Sequence, residues 1–367
     1  MKIICGKNEL IRAINVVLKA VPTRTTMTIL ECILIDASGG HITFTGNDME
    51  LGIETTVSGV IEERGMVALD ARIFSEIIRK LPDSDVTISS DERFNTSITC
   101  EKAEFHIMGK DGDEFSRLPF IEKNECIVIS QFSLKEIIRQ TIFSISQNDT
   151  NKIMTGELFE IKDGFLRVVA LDGHRISIRH IDLKEQYQDY KVIVPGKTLS
   201  EISKILSGET QSLASLYFTS NHMMVEFDET VVVSRLIEGS YFRVDQMLAG
   251  DYETKVRLNR RELMDCVDRS ILLVNENDKK PIILNMEEGR MELSIQSQMG
   301  SMKEVIDAEI EGRMLKIGFN PKFMMDALRV IDDEKIDLFF INSKAPCVIR
   351  DAEGSYVYLI LPVNFVS

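Results

Sequence analysis

The chain has little of what marks an enzyme, a metalloprotein or a membrane protein. Its 367 residues include five histidines and six cysteines, which form no CxxC pair and no spacing typical of metal ligands. No run of about 18 apolar residues is present, and residues 1–7 lack the apolar core of a signal peptide. We therefore expect a cytoplasmic protein with reduced cysteines, without a metal or another cofactor.

Two helical patterns each occur three times, about a third of the chain apart. The copies are offset by 124 and 129 residues for the first pattern and by 125 residues twice for the second. Such self-similarity indicates repeated domains, and the length suits three domains of ordinary size. We predict domains at 1–121, 126–249 and 254–367. The apolar positions of the first pattern are Leu10, Ile14, Leu18; Leu134, Ile138, Ile142; and Leu263, Val267, Ile271.

Strand signals alternate with these helices. Two apolar runs in each repeat are joined by Gly39-Gly40, Asp163-Gly164 or Glu288-Gly289, which are typical hairpin turns. A further strand signal follows each second helix. The pattern predicts an α+β fold in which each domain is a doublet of helix plus antiparallel sheet.

Charge is distributed unevenly along the chain. The net charge of −15 argues by itself against nucleic-acid binding. The six repeated helices, however, hold 15 Lys and Arg against 8 Asp and Glu, so they carry +7 and the remainder −22. Ordinary solvated helix faces would explain any one helix, but five net-positive helices favour a shared basic surface for phosphates. The segments are 7–20, 72–80, 132–140, 197–204, 258–269 and 322–329.

Three further segments resemble one protein family. They are the stretch from Val169 to Arg175, Ile193-Val194-Pro195, and the C-terminal stretch from Tyr356 to Val363. Together with the threefold repeat, they are similar to the bacterial DNA polymerase III beta subunit from end to end. The resemblance implies a homodimeric ring of six related domains around duplex DNA, with helices lining the hole. It also implies a non-catalytic processivity factor that binds the polymerase catalytic subunit, the clamp loader and other proteins with a clamp-binding peptide.

The resemblance further implies an apolar pocket for a short peptide between the second and third domains. Without the resemblance, a simple turn with a capped histidine is the favoured interpretation of residues 172–175. The usual Phe-Pro-Asp-Tyr pattern of the family is missing at 240–245. The resemblance therefore does not fix the structure of the pocket wall near Met247. The implied pocket residues are Met154, Leu171, Gly173, His174, Arg175, Ile176, Met247, Leu359, Ile360, Leu361, Pro362 and Val363.

Residues for DNA and for ring closure follow from the same resemblance and from strand spacing. The implied DNA contacts are Arg24, Arg72, Asn148, Lys152, Ile153 and Lys197. Phe105 and Ile107 lie on one face of a predicted edge strand, and we expect them to meet Leu272 and Leu273 of a second copy.

Two other classes of protein stay open. One is a divergent clamp-like DNA-binding scaffold for repair, plasmid or phage replication. The other is an enzyme built from a repeated domain, which would need acids, histidines or cysteines converging in one cleft. His174 and Asp172 make a poor catalytic pair, because residues two apart in a turn rarely align as a base and its orienting group.

Overall fold

The fold is described by a computed structural model that covers residues 1–148, 150–248, 251–274 and 280–365. Seven α-helices and 25 β-strands are assigned within these residues. The helices are α1 Lys7–Val17, α2 Ala71–Lys80, α3 Gln131–Arg139, α4 Gly196–Ile205, α5 Asp245–Leu248, α6 Arg260–Ile271 and α7 Pro321–Val330.

The strands form antiparallel pairs throughout the described chain. They are β1 Lys2–Gly6, β2 Cys32–Asp36, β3 Ile42–Asn47, β4 Leu51–Val57, β5 Val60–Glu63, β6 Met66–Asp70, β7 Asp85–Ser90, β8 Asn95–Cys100, β9 Ala103–Met108, β10 Ile127–Ser130, β11 Gly156–Lys162, β12 Phe165–Leu171, β13 Arg175–Asp182, β14 Tyr190–Pro195, β15 Leu213–Phe218, β16 His222–Phe227, β17 Thr230–Arg235, β18 Thr254–Asn259, β19 Ile282–Glu287, β20 Arg290–Ser297, β21 Gly300–Gly312, β22 Lys316–Phe319, β23 Lys335–Phe340, β24 Cys347–Arg350 and β25 Tyr356–Ile360.

The first of two compact units comprises Met1–Leu134 and Glu201–Leu236. It contains a five-stranded sheet in the order β5-β1-β7-β8-β9 and an eight-stranded sheet in the order β10-β15-β16-β17-β4-β3-β2-β6. The helix α2 shows how its sequence fixes a face. The Asp70 carboxylate accepts a hydrogen bond from the Ile73 N–H at 2.8 Å and caps the helix. Phe74 is then fully buried, whereas Arg72 is exposed.

The second unit comprises Lys135–Ser200 and Ile237–Ser367. One twelve-stranded sheet spans it, in the order β14-β11-β12-β13-β25-β24-β23-β18-β21-β20-β19-β22. Asparagine caps begin both of its longer helices: Asn259 accepts from the Arg261 N–H at 2.9 Å, and Asn320 from the Lys322 N–H at 3.0 Å. Leu263 and Leu328 are fully buried, so these helices pack their apolar faces on the sheet and leave arginines outside.

The six predicted helices and the hairpins are confirmed, with small changes at the helix ends. Leu18 and Ile142 lie in short 3₁₀ turns that follow α1 and α3. After α3, the Thr141 hydroxyl donates to the Ile137 carbonyl at 2.7 Å, a local bond that competes with continued helix. The short helix α5 was not predicted. The predicted end of the middle domain at 249 and the last residue, 367, lie outside the described residues.

Two structural observations concern the cysteines and the possibility of membrane-spanning helices. All six cysteines are free thiols, and five of them are buried, while Cys126 is partly exposed. Among the described residues, no helix combines the length and the apolar character that a membrane span requires.

Candidate functional site

The turn between β12 and β13 is fixed by one carboxylate. Asp172 Oδ1 accepts hydrogen bonds from the backbone N–H groups of His174 at 2.9 Å and Arg175 at 3.1 Å. Gly173 adopts a φ of +87°, which glycine reaches without strain. Asp172 thus holds the backbone, and the His174 ring stacks on Phe323 at 6.0 Å between centroids. The site therefore contains a structural turn.

Arg175 connects this turn to helix α7. Its Nε donates to Asp172 at 3.1 Å and its Nη1 to Asp326 at 2.6 Å, while Nη2 donates to the Phe143 carbonyl. The guanidinium lies 4.4 Å from the centroid of the Phe323 ring. Only 9% of Arg175 is exposed. Because two carboxylates compensate its charge, this residue mainly holds the turn against α7 and offers little free charge to a ligand.

An apolar floor brings together residues that are far apart in sequence. Leu171, Ile176 and Leu359 are at most 5% exposed and share one buried cluster, against which Met154 and Leu361 pack. They come from β12, β13, β25, the 3₁₀ turn before β11 and the C-terminal segment.

Ile360 has a different position from its neighbours. It is 1% exposed and belongs to the larger core cluster of β18–β24, because alternate residues of a strand point to opposite faces of the sheet. The sequence prediction placed it in the pocket. Its side chain instead packs in the core on the other face of the sheet.

The C-terminal segment is held at two points. The Leu361 N–H donates to the His174 carbonyl at 2.9 Å, and the Val363 N–H donates to the Gly318 carbonyl of β22 at 2.8 Å. Phe365 lies so near Gly318 that a Cβ atom there would be 2.8 Å from the phenylalanine ring. The segment that includes Pro362 therefore follows a defined path beside the floor, and Val363 remains 37% exposed.

The wall near Met247 is built without the usual proline pattern. Tyr241 and Val244 are 8% and 2% exposed and anchor the connecting segment in the same apolar cluster. Asp245, the first residue of α5, pairs with Arg167 of β12 at 2.5 Å. Met247 is left 50% exposed at the rim. Two buried side chains and one ion pair therefore hold this segment in the absence of the usual pattern.

The predicted DNA contacts in the first unit are exposed cations. Arg24 lies in the loop that precedes the 3₁₀ turn Thr28–Glu31, and Arg72 lies in the first turn of α2. In the described part of the chain, neither arginine has a carboxylate within ion-pair distance. By contrast, Arg12 pairs with Glu9 of the same helix at 2.9 Å. Arg24 and Arg72 are therefore available to an anionic ligand.

The predicted contacts in the second unit differ in exposure. Lys152 and Lys197 are exposed, in the 3₁₀ turn before β11 and in the first turn of α4. The Asn148 side chain accepts a hydrogen bond from the Thr150 N–H at 3.1 Å and shapes its own loop. Ile153 is only partly exposed and packs on the apolar cluster that forms the pocket floor.

The four residues predicted at a dimer contact differ in exposure. Phe105 is 38% exposed on β9, which is an edge strand of its sheet, and Ile107 lies on the same face. Leu272 is 74% exposed directly after α6, whereas Leu273 packs partly on the core. Exposed apolar side chains of this size beside an open strand edge favour association.

Comparison with known proteins covers the whole chain. The sequence matches the three domain families of the DNA polymerase III beta subunit in order. The N-terminal domain matches residues 1–119, the central domain 128–242 and the C-terminal domain 245–364. The beta sliding clamp of Staphylococcus aureus is 34% identical over 375 residues, which is 99% of each chain. A Eubacterium rectale structure assigned as a DNA polymerase III beta subunit superposes with a TM-score of 0.98 at 63% identity. The Bacillus subtilis sliding clamp superposes at 0.97 and 35%, and both structures cover 100% of each chain.

Three consecutive domains of mixed helix and antiparallel sheet define a clamp protein. The chain belongs to the DNA polymerase III beta subunit family, the bacterial sliding clamps. It functions as a DNA sliding clamp, a non-catalytic processivity factor in DNA replication. This membership disfavours both the enzyme and the separate scaffold that the sequence left open.

Proposed function

We propose that two copies of this chain close a ring around duplex DNA in the cytoplasm and tether the replicative polymerase to its template. The observation that carries the proposal is the family match across all three domains in order. In this proposal, the domains correspond to residues 1–121, 126–249 and 254–367. The clamp loader and other proteins with a clamp-binding peptide are further partners.

Ring closure uses a contact that is repeated twice. In the proposed dimer, Phe105 and Ile107 of one copy meet Leu272 and Leu273 of the other. Two identical head-to-tail contacts close a twofold ring without leaving a free edge. The exposure of Leu272 and the edge position of β9 support this pairing.

The exposed cations contact the DNA backbone and do not recognise the base sequence. Arg24, Arg72, Lys152 and Lys197 would contact phosphates, which supplies affinity that depends on salt but not on sequence. The −22 charge outside the six predicted helices repels DNA from the remaining surface.

Partners dock through the apolar floor of Leu171, Ile176, Leu359 and Leu361. An extended peptide that buries two or three large side chains there gains about 1.5–3 kcal/mol from each before ordering costs. Three such side chains near the upper end of that range correspond to roughly micromolar affinity, which lets several partners exchange on one platform. Arg175 stabilises this site through its contacts with Asp172 and Asp326.

Retention on DNA of different topology tests the proposal. The purified protein, loaded on nicked circular DNA, should stay bound and should be lost when the same DNA is linearised. The double variant Leu272→Asp, Leu273→Asp should be a monomer in sedimentation and should be lost from both forms. Equal retention of the unchanged protein on circular and linear DNA would refute the ring. A dimeric double variant would refute only the assigned contact.

A further inference from the structure

A second cleft lies beyond Met247, next to the apolar floor. Tyr252, Phe339, Pro346 and Arg350 line it together with Met247. It is continuous with the floor because Val348, which also lines the cleft, is in register with Leu359 across β24 and β25. A peptide on the floor can therefore extend into this cleft without leaving the surface.

The cleft combines aromatic rings with a cation. The Tyr252 and Phe339 rings lie 4.8 Å apart, and the Arg350 guanidinium lies 4.7 Å from the Phe339 centroid. Tyr252 is 44% exposed, and Arg350 is also exposed. A guanidinium stacked on an aromatic ring loses less freedom when it binds a carboxylate, because its plane is already oriented.

Arg350 has no carboxylate partner in the described part of the chain. The acid opposite it across β23 and β24 is Asp337, which pairs instead with Lys255 at 3.3 Å and Arg257 at 3.4 Å on β18. The cleft therefore carries an uncompensated positive charge. This positive charge beside the exposed Tyr252 ring is opposite in sign to the net charge of −15 of the whole chain.

We propose that this cleft binds an acidic segment that flanks the apolar core of a partner peptide, with a carboxylate on the Arg350 guanidinium. The inference rests on the proposed peptide site and deepens it, because it states which peptides are preferred. Tyr252, Met247 and Phe339 would cover the backbone of the segment, and Arg350 would select its charge. Arginine and aromatic residues are typical of the energetically important part of interfaces.

The test compares flanks of equal length and different charge. A fluorescent, glutamine-led peptide with leucine and phenylalanine forms the core. It is extended by three glutamates or by three glutamines, at its N-terminal end or at its C-terminal end. At low salt we expect the glutamate flank to tighten binding by about three- to tenfold over glutamine at one end only. At the other end the negative protein should weaken the binding of glutamate or leave it unchanged.

Substitutions of Arg350 test whether this residue causes the preference for the glutamate flank. Arg350→Gln should remove the glutamate preference and leave affinity for the bare core unchanged, while Arg350→Lys should keep part of it. Arg290→Gln removes an exposed arginine of β20 outside the cleft and should change nothing. A preference that survives Arg350→Gln overturns the inference. Equal binding of both flanks at both ends also overturns it, but leaves the proposed function intact if the bare core binds. Failure of the bare core to bind overturns both.

Discussion

In the peptide site, side chains from several parts of the chain share one buried cluster, whereas the cations proposed to meet DNA are exposed residues of separate elements. Leu171, Ile176 and Leu359 are each at most 5% exposed and depend on one another for position. Arg24 and Arg72 are exposed and have no ion-pair partner among the described residues. Peptide binding should therefore be lost through one local change, and DNA retention should decline in steps.

The largest effect should come from removing Leu361 through Ser367. The deletion removes one side of the floor and both backbone hydrogen bonds of the segment, to His174 and Gly318. We expect the affinity for the core peptide to fall by at least about 50-fold in fluorescence anisotropy, because more than one large apolar side chain of the peptide would no longer be buried. Sedimentation should still show a dimer. If the truncated protein stimulates the polymerase fully, the partner site lies elsewhere.

The second prediction concerns the dispersed cations. Replacing Arg24, Arg72 and Lys197 with Glu should weaken retention on circular DNA and flatten its dependence on salt. The slope of log K against log salt should decrease by about 0.9 for each phosphate that the protein no longer neutralises. Single replacements should give roughly a third of this change, since the three cations lie on separate elements. A strong preference of the unchanged protein for one DNA sequence would contradict the sliding interpretation.

A matched control keeps the net charge of that variant while changing other elements. The three replacements are made at exposed lysines of strand ends and loops, where little loss of retention is expected. The control carries Lys162→Glu, Lys184→Glu and Lys344→Glu. Equal losses in the two triple variants would mean that total charge, and not the position of the cations, governs retention.

The difference between local and long-range contacts explains which features could be predicted from the sequence. Helices and hairpins follow from periodic apolar residues and turn pairs such as Asp163-Gly164, which act locally. The floor residues Leu171 and Leu361 could be identified only through the family resemblance, because their meeting depends on strand order. The resemblance also implied Ile360 for the pocket, although the alternation of side chains along β25 could have indicated that its side chain packs in the other cluster.

Several supporting residues were missed altogether. Asp326 and Phe143 hold Arg175, and Arg167 holds Asp245, yet the sequence assigned none of the three a role in the site. Asp326 sits on α7 among ordinary helix charges, so nothing in its local sequence distinguishes it. Long-range ion pairs between elements are fixed by tertiary packing, which a single sequence does not encode in local spacing.

The third prediction concerns the wall near Met247. Asp245→Asn removes the ion pair with Arg167, whose side chain is 12% exposed. Because Tyr241 and Val244 still anchor the segment, α5 should become looser without leaving the cluster. We expect about a threefold weaker affinity for the core peptide, in line with the modest value of a partly exposed ion pair. Asp245→Glu keeps the charge and should bind nearly as the unchanged protein does. An unaffected Asn variant would show that the wall is held by burial alone.

The smallest effect on binding should come from Glu157, which lies in the core under this site. It is fully buried, and neither carboxyl oxygen has a hydrogen-bond partner in the described part of the chain. Burial raises the pKa of Glu157 well above its usual range. The Thr141 hydroxyl acts in the opposite direction, but it already donates to the Ile137 carbonyl at 2.7 Å and so compensates little.

The sign of the pH dependence follows from that raised pKa. The folded protein keeps the proton that the unfolded chain releases, so the stability from this group is complete at low pH. It is lost as the pH rises through the pKa of the folded state. Glu157→Gln should therefore leave the unfolding midpoint unchanged at mildly acidic pH and raise it at alkaline pH. The rise should be roughly 2–4 °C for each kcal/mol that ionisation costs.

Thermal unfolding between pH 5 and pH 9 measures this effect, and the peptide affinity at neutral pH should not change. Glu160→Gln in the same strand is the control, because Glu160 pairs with Arg167 at 3.2 Å and with Lys191 at 3.3 Å. Its loss should not stabilise the protein at any pH, since a neutral amide leaves Lys191 without this carboxylate and Arg167 with Asp245 as its remaining ion-pair partner. If Glu157→Gln lowers the midpoint at alkaline pH, the buried carboxylate has a compensating partner, and the site rests on a charged rather than a neutral core.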